Sequence, residues 1–168
     1  MRETIRVSTD IEALARGPIY RFADWPIADV PNAAGVYTIW RQSDFLYVGM
    51  AGRIDRSPTG SSMAGNRVYG LRSRLGSHAS GRRSGDQFCV YACDRFIVPE
   101  LSADQLAAIG IGKLSLDRMT QDLVRRELAF RFLVTADGRV AYQIETQIKV
   151  AGLAGVGQTL LNPGQLRD

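Results

Sequence analysis

Five side chains in this sequence could do chemistry together if the fold gathers them. Tyr37 and Tyr47 each lie beside a glycine in "GVYTIWRQSDFLYVGMAG" (35–52), Arg74 and His78 are four residues apart in "GLRSRLGSHA" (70–79), and Glu145 adjoins an apolar run. Phenol and imidazole can hold or move a proton. A guanidinium fork suits an oxyanion better than an ammonium does, and a carboxylate can hold a hard cation. An ordinary phenol, with a pKa near ~10, needs a cationic neighbour to act as a base at neutral pH.

The elements that must position these groups can be read from periodicity and turn residues. Val36–Arg41 and Phe45–Met50 are rich in β-branched and aromatic residues and flank Gln-Ser-Asp, which predicts a hairpin. If Arg41 opposes Phe45 across a three-residue turn, Tyr47 pairs with Ile39 and Tyr37 with Gly49, so both tyrosines share a face. A two-residue turn would split them. Gly49 then leaves space beside Tyr37, as expected where a ligand backbone comes close.

Leu71 and Leu75 are one helical turn apart, with Arg74 and His78 beside them as a basic flank. Phe88–Val98 reads as a third strand and Leu128–Val134 as a fourth. Between them, 102–126 is helical with a break near Gly110 and Gly112, and Ser115 caps the second piece. After Asp137, Ala141, Ile144, Ile148 and Ala151 form a helical apolar stripe, and Glu145 sits at its border. A short helix over Asp10–Ala15 and turns at Pro18, Pro26 and Pro31 are expected to wrap the core.

The chain has 168 residues, 45% of them hydrophobic, which fits one globular domain. With no long apolar run and no basic-then-apolar leader, a soluble cytoplasmic protein with no membrane partner is expected. Cys89 and Cys93, with a single histidine, are too few soft ligands for a structural zinc site and are expected to be reduced core thiols. The net charge is +4, and all basic residues but Lys113 and Lys149 are arginine. Arg53, Arg56, Arg67, Arg72, Arg74, Arg82 and Arg83 crowd into 52–85 against Asp55 alone, so an anionic partner is favoured. The Gly-, Ser- and Arg-rich stretch 51–70 is a loop whose length points to disorder or function.

Taken together, Gly35-Val36-Tyr37, Tyr47-Val48-Gly49, Arg74, Glu145 and Asn162 in "LLNP" resemble the signature residues of the GIY-YIG nuclease family over roughly 33–163. The match is closest to its restriction-endonuclease branch, which similarly has a long loop after the second tripeptide, an "RLxxHA"-like helix and a strand beginning like "QFCVY". Valine stands for isoleucine in both tripeptides, and 94–132 is extra helical sequence ahead of Glu145. The resemblance implies an α/β (α+β) domain with a small mixed or antiparallel sheet of three or four strands flanked by helices. Its parts would be an N-terminal wrap (1–32), a basic loop insert (51–69) and a helical insert (94–132).

It also implies a metal-dependent DNA endonuclease. Tyr37 would be the general base, Tyr47 and Arg74 would grip phosphate, and His78 would place the water or touch phosphate. Glu145 would hold Mg²⁺ or Mn²⁺, and Asn162 would tie the last loop to the core. Arg53, Arg56, Arg67, Arg72, Arg82 and Arg83 would bind nucleic acid, and a homodimer is expected if the cut site is palindromic. Should Glu145 merely pair with Lys149, Glu127 and Tyr142 are the alternatives. Restriction is the leading context; a nonspecific nuclease of toxin or repair type, or a non-catalytic nucleic-acid-binding module, are the competing readings. If the loop arginines contact phosphates, replacing Arg53, Arg56 and Arg67 with Gln lowers the slope of log K against log salt by up to ~3, measured by DNA titration. An unchanged slope assigns them to solvent.

Overall fold

The computed structural model describes residues 11–52 and 69–162. The loop arginines Arg53, Arg56 and Arg67, Asp10 and Pro163 lie outside the described residues.

The hairpin forms from β2 (Gly35–Arg41) and β3 (Asp44–Ala51). Its turn is tighter than the spacing suggests, because Arg41 pairs with Asp44 and only Gln42 and Ser43 remain between the strands. Gln42 takes the left-handed conformation, at φ 55°, that such a turn requires. Such a turn alone would have sent the two tyrosines to opposite faces. A bulge corrects this: Trp40 pairs with Phe45 and Ile39 with Tyr47, so Leu46 is the extra residue and Tyr37 still meets Gly49.

The outer edge of the bulged strand is covered by the chain's last described segment. Leu160 N–H donates to Phe45 O (3.1 Å) and Leu161 N–H to Leu46 O (2.8 Å). Asn162 then imitates a strand residue with its side chain, accepting from Val48 N–H (2.8 Å) and donating to Val48 O (2.9 Å). Asn162 therefore ties the last loop to the core, as expected.

The sheet is four-stranded and wholly antiparallel, in the order β1-β4-β2-β3. Strand β4 (Leu128–Val134) lies beside β2, with Phe132 opposite Tyr37, and the two-residue β1 (Tyr20–Arg21) pairs with β4. The predicted helical insert therefore ends inside a central strand. Helix α5 (Leu116–Glu127) also belongs to the core, through Thr120, Leu123 and Val124.

The expected strand over 88–98 is instead a helix, α3 (Gln87–Phe96). Asp86 caps it by accepting from Cys89 N–H, and the buried positions Phe88, Cys89, Ala92 and Cys93 follow a helical step. Both cysteines are free and buried. Of the features likened to the restriction branch, the "QFCVY" strand is thus absent.

Helices cover both faces of the sheet. Tyr37, Ile39, Tyr47 and Phe130 pack with Leu71 and Leu75 of α2 (Leu71–Ser80), with α3 and with α5. On the other face Val36, Trp40, Phe45 and Val48 pack with Leu14 of α1 (residues 11–16) and with Ala141, Ile144 and Ile148 of α6 (Gly138–Ala151). Ala151, the last member of the predicted stripe, is exposed. Asp137 caps α6 by accepting from Arg139 and Val140 N–H, and Ser115 caps α5. Among the described residues no helix is long and apolar enough to cross a membrane.

Both signature glycines have packing reasons. A Cβ on Gly35 would meet Leu133 O and the Leu71 side chain, so its absence lets α2 seat on the sheet. A Cβ on Gly49 would strike the Tyr37 ring and hydroxyl and Tyr47 Cε1; the space beside Tyr37 is filled by its own ring rather than left for a ligand. Gly49→Ala should therefore destabilise the fold by about 1–3 kcal/mol, because the ring must leave its position in a packed core. Urea denaturation checks this, and an unchanged midpoint would show that the ring can move freely.

Candidate active site

Strand β2 places Tyr37 in the core and β3 places Tyr47 beside it, with ring centroids 6.4 Å apart. Helix α2 begins at Leu71 against Gly35, which brings Arg74 and His78, one turn apart, over the tyrosine face. A cavity of about 390 Å³ runs along the end of β3 and is lined by Tyr37, Tyr47, Arg74, Glu145 and Lys149, among others. Helices α2 and α6 lie on opposite faces of the sheet. The cleft thus forms where residues of both faces meet near Gly49–Gly52, not above a single face.

Behind the cavity runs a buried polar chain. Asp86 accepts from Ser77 Oγ–H (2.7 Å), from Cys89 N–H (3.3 Å) and from His78 Nδ1 (2.7 Å to Oδ2). Burial opposes charge on Asp86, but the hydrogen bonds from His78, Ser77 and Cys89 prevail and hold its pKa down at about 2. An ionised carboxylate can only accept, so His78 carries its proton on Nδ1 and presents a bare Nε2. Tyr37 O–H donates to that nitrogen at 2.7 Å. His78 has no exposed surface, and burial holds its pKa below the usual imidazole value against the pull of Asp86.

This revises the expected roles of two residues. His78 is not part of a basic flank and does not reach the cavity; its partners are Tyr37 and Asp86. Tyr37 is not a lowered phenol: burial, with Tyr47 adding, raises its pKa well above 10, and Arg74 only partly offsets this. Burial likewise raises Tyr47 to about 12. Arg74 is the half-buried cation facing both hydroxyls. Burial opposes its charge, but Tyr37, Asp86 and Tyr47 raise its pKa on balance.

Glu145 is only 6% exposed and its Oε1 lies 3.0 Å from Lys149 Nζ. The ion pair foreseen as the plain alternative is present, yet it lies in the cavity wall and not on an open face. The substitutes for Glu145 lie elsewhere. Glu127 is bound to Arg41 (2.6 Å), in a separate cavity near Phe96 and Met119, and Tyr142 is exposed.

Of the described arginines assigned to nucleic acid, Arg82 is exposed and Arg83 is paired with Asp117 (2.9 Å). Arg72 donates to the carbonyls of Val30, Ile27 and Ala28 (3.0, 3.2 and 2.9 Å) and so fastens the N-terminal wrap, while the residue itself is exposed. Sequence reasoning missed Asp86. The signal for Asp86 was its place two residues ahead of an apolar run, an N-cap position, which would also have given the helical reading of α3.

His78, Asp86 and Cys89 place ligand-type atoms within 4.8 Å of one another, but all three are buried and already bonded to one another or to backbone. The hard oxygen donor on the cavity is Glu145. No known protein-family model matches the chain, and no curated protein shows significant similarity to it.

The buried chain makes stability depend on acid. A histidine whose folded pKa lies below its unfolded value binds more protons when unfolded, so its contribution is complete above the usual value of 6.5 and is lost as pH falls below it. Asp86 adds a second loss as pH falls from its ordinary 3.8 toward about 2. The denaturation midpoint should therefore drop from pH 7.5 to pH 5, and His78→Gln should flatten that drop while lowering the midpoint at pH 7.5. An equal drop in the variant would refute the assignment to His78.

Proposed function

We propose that this chain is a phosphodiesterase. In particular, we propose a metal-dependent DNA endonuclease of GIY-YIG type, with restriction or defence as its context. The observation that carries the reading is the convergence of Tyr37, Tyr47, Arg74 and Glu145, from two strands and two helices, on one cavity of about 390 Å³. Phosphodiester hydrolysis needs a water deprotonated in line with the scissile bond, charge neutralisation at the phosphate, and help for the leaving oxygen. The residue types around the cavity match those needs.

Glu145 fits a divalent cation. Its carboxylate is nearly buried at the cavity wall with a displaceable ammonium beside it, and one carboxylate completed by phosphate and water is a usual Mg²⁺ arrangement. A bound Mg²⁺ or Mn²⁺ would neutralise charge on the phosphate and the leaving oxygen.

The remaining work falls to the chain's own groups. Arg74 and Tyr37 both line the cavity, so a phosphate drawn to the guanidinium would come beside the phenol. Tyr37 need not stand as a phenolate. As its oxygen takes a proton from the attacking water, its own proton passes to His78 Nε2 along the existing 2.7 Å bond, and Asp86 steadies the imidazolium that forms. A raised phenol pKa is compatible with such a relay, because proton loss and gain are coupled.

The full burial of Tyr37 favours a second reading, a non-catalytic nucleic-acid-binding module in which the chain of hydrogen bonds is purely structural. Nicking of supercoiled plasmid with Mg²⁺ and with EDTA separates the two. The nuclease reading expects Mg²⁺-dependent nicking that falls ~10²-fold or more in Tyr37→Phe, where only the hydroxyl is lost. It also expects nicking to vanish in Glu145→Gln, with thermal stability nearly unchanged. No nicking by the parent chain, or equal nicking by Tyr37→Phe, would overturn it.

A further inference from the structure

Of the helices beyond α3, α4 (Ala103–Gly110) and α5 give the cavity no residue, and α6 gives it two, both charged. Those two, Glu145 and Lys149, are one of three ion pairs that span a single helical turn, and they are set unlike the others. Arg16–Glu12 and Arg118–Asp122 lie on open faces, with every side chain more than half exposed. Such pairs do little for stability. Glu145 and Lys149 meet at 3.0 Å with only 9% and 35% of their side chains exposed. Charge on a carboxylate nearly out of water is costly without a partner, and among the described residues Lys149 is the cation paired with it.

The charged residues lining the cavity are Arg74, Lys149 and Glu145, so its wall carries one net positive charge. Arg74 has the Tyr37 and Tyr47 hydroxyls and Asp86 as its electrostatic neighbours, whereas Lys149 is paired, among the described residues, with Glu145 alone. A divalent cation brought to Glu145 adds two positive charges beside that ammonium. Like charges this close repel, and a wall poor in water strengthens the effect. The repulsion is relieved if the ammonium gains an anion of its own when the carboxylate serves the cation. A lysine suits such an exchange, being a compact charge with three donors on a flexible stem.

We propose that Lys149 couples the two ligands of the cavity: paired with Glu145 in the empty protein, it becomes a second phosphate-binding residue, together with Arg74, when a divalent cation takes the carboxylate. Cation and phosphate then bind with positive cooperativity, since each supplies a counter-charge that the other requires. Linkage is reciprocal, so an oxyanion tightens the cation by the same factor by which the cation tightens the oxyanion. This inference rests on the part of the nuclease reading that seats the cation on Glu145, and on no step of the hydrolysis.

Binding of Mn²⁺ to the full chain, followed by electron paramagnetic resonance with and without sulfate at equal ionic strength, tests it without any cleavage. Sulfate serves as the tetrahedral oxyanion because it leaves Mn²⁺ in solution. The parent chain should bind Mn²⁺ about tenfold more tightly with sulfate present. Lys149→Met keeps the apolar stem and removes the charge. It should bind Mn²⁺ about tenfold more tightly than the parent when sulfate is absent, and sulfate should then add less than about twofold. Lys149→Gln should behave alike, and Glu145→Gln should bind no Mn²⁺ under either condition. A parent chain whose Mn²⁺ affinity ignores sulfate overturns the proposal, whether or not the variants fold. So does a Lys149 variant that keeps the parent's affinity or its response to sulfate. Mn²⁺ binding that survives Glu145→Gln, or that is absent from both the parent and the Lys149 variants, overturns the cation site itself together with this inference.

Discussion

Asp86 is the constraint on which the site's geometry depends. One carboxylate caps α3 through Cys89 N–H, holds Ser77 and orients His78, so it locks the start of α3 to the end of α2. His78 in turn reaches Tyr37 on β2, which joins both helices to the sheet through one continuous chain of hydrogen bonds. Losing one partner of such a buried group typically costs about 3–5 kcal/mol, because the other is left charged or unpaired away from water. Among the described residues no buried side-chain polar atom lacks a partner.

The same chain determines what the cavity can do. With Asp86 ionised and His78 neutral, the imidazole presents an acceptor to Tyr37 and cannot present a donor. Arg74, one turn earlier on α2, is then the cation nearest the phenol. The opposing carboxylate comes from α6, on the other side of the sheet, so the site is built at the end of β3. That end is held by Asn162, which pairs with both backbone polar groups of Val48. Asn162 therefore has a positional role at the strand end that carries Tyr47.

Packing around the tyrosines leaves little room for adjustment. Tyr47 and His78 both meet the Phe88 ring, at 5.3 and 4.9 Å, and Tyr37 occupies the space that Gly49 gives up. A ring in a close-packed core keeps one rotamer. The Tyr37 hydroxyl is thus held at a single place, which is what a relay to His78 needs and what a purely structural hydrogen bond would also produce.

Local pattern in the sequence determined the pairing of Tyr37 with Gly49 and of Tyr47 with Ile39, the helices carrying Arg74 and Glu145, the caps at Ser115 and Asp137, and the burial of both cysteines. These depend on residues within a few positions of one another, where turn chemistry and periodicity act. It also brought the right tyrosines together through the wrong turn, since a bulge at Leu46 leaves no mark that periodicity can read. Phe88–Val98 reads as a strand in the sequence and is a helix in the fold, because a short apolar run has no decisive period and the local sign of the helix is the N-cap position of Asp86. The state of His78, the binding of Arg72 to backbone carbonyls and the pairing of Tyr37 with a histidine 41 residues away were decided by the tertiary structure alone. Burial and partner, not residue type, decide whether a histidine is a surface base or a buried acceptor, and both are set by chain segments that the sequence keeps far apart.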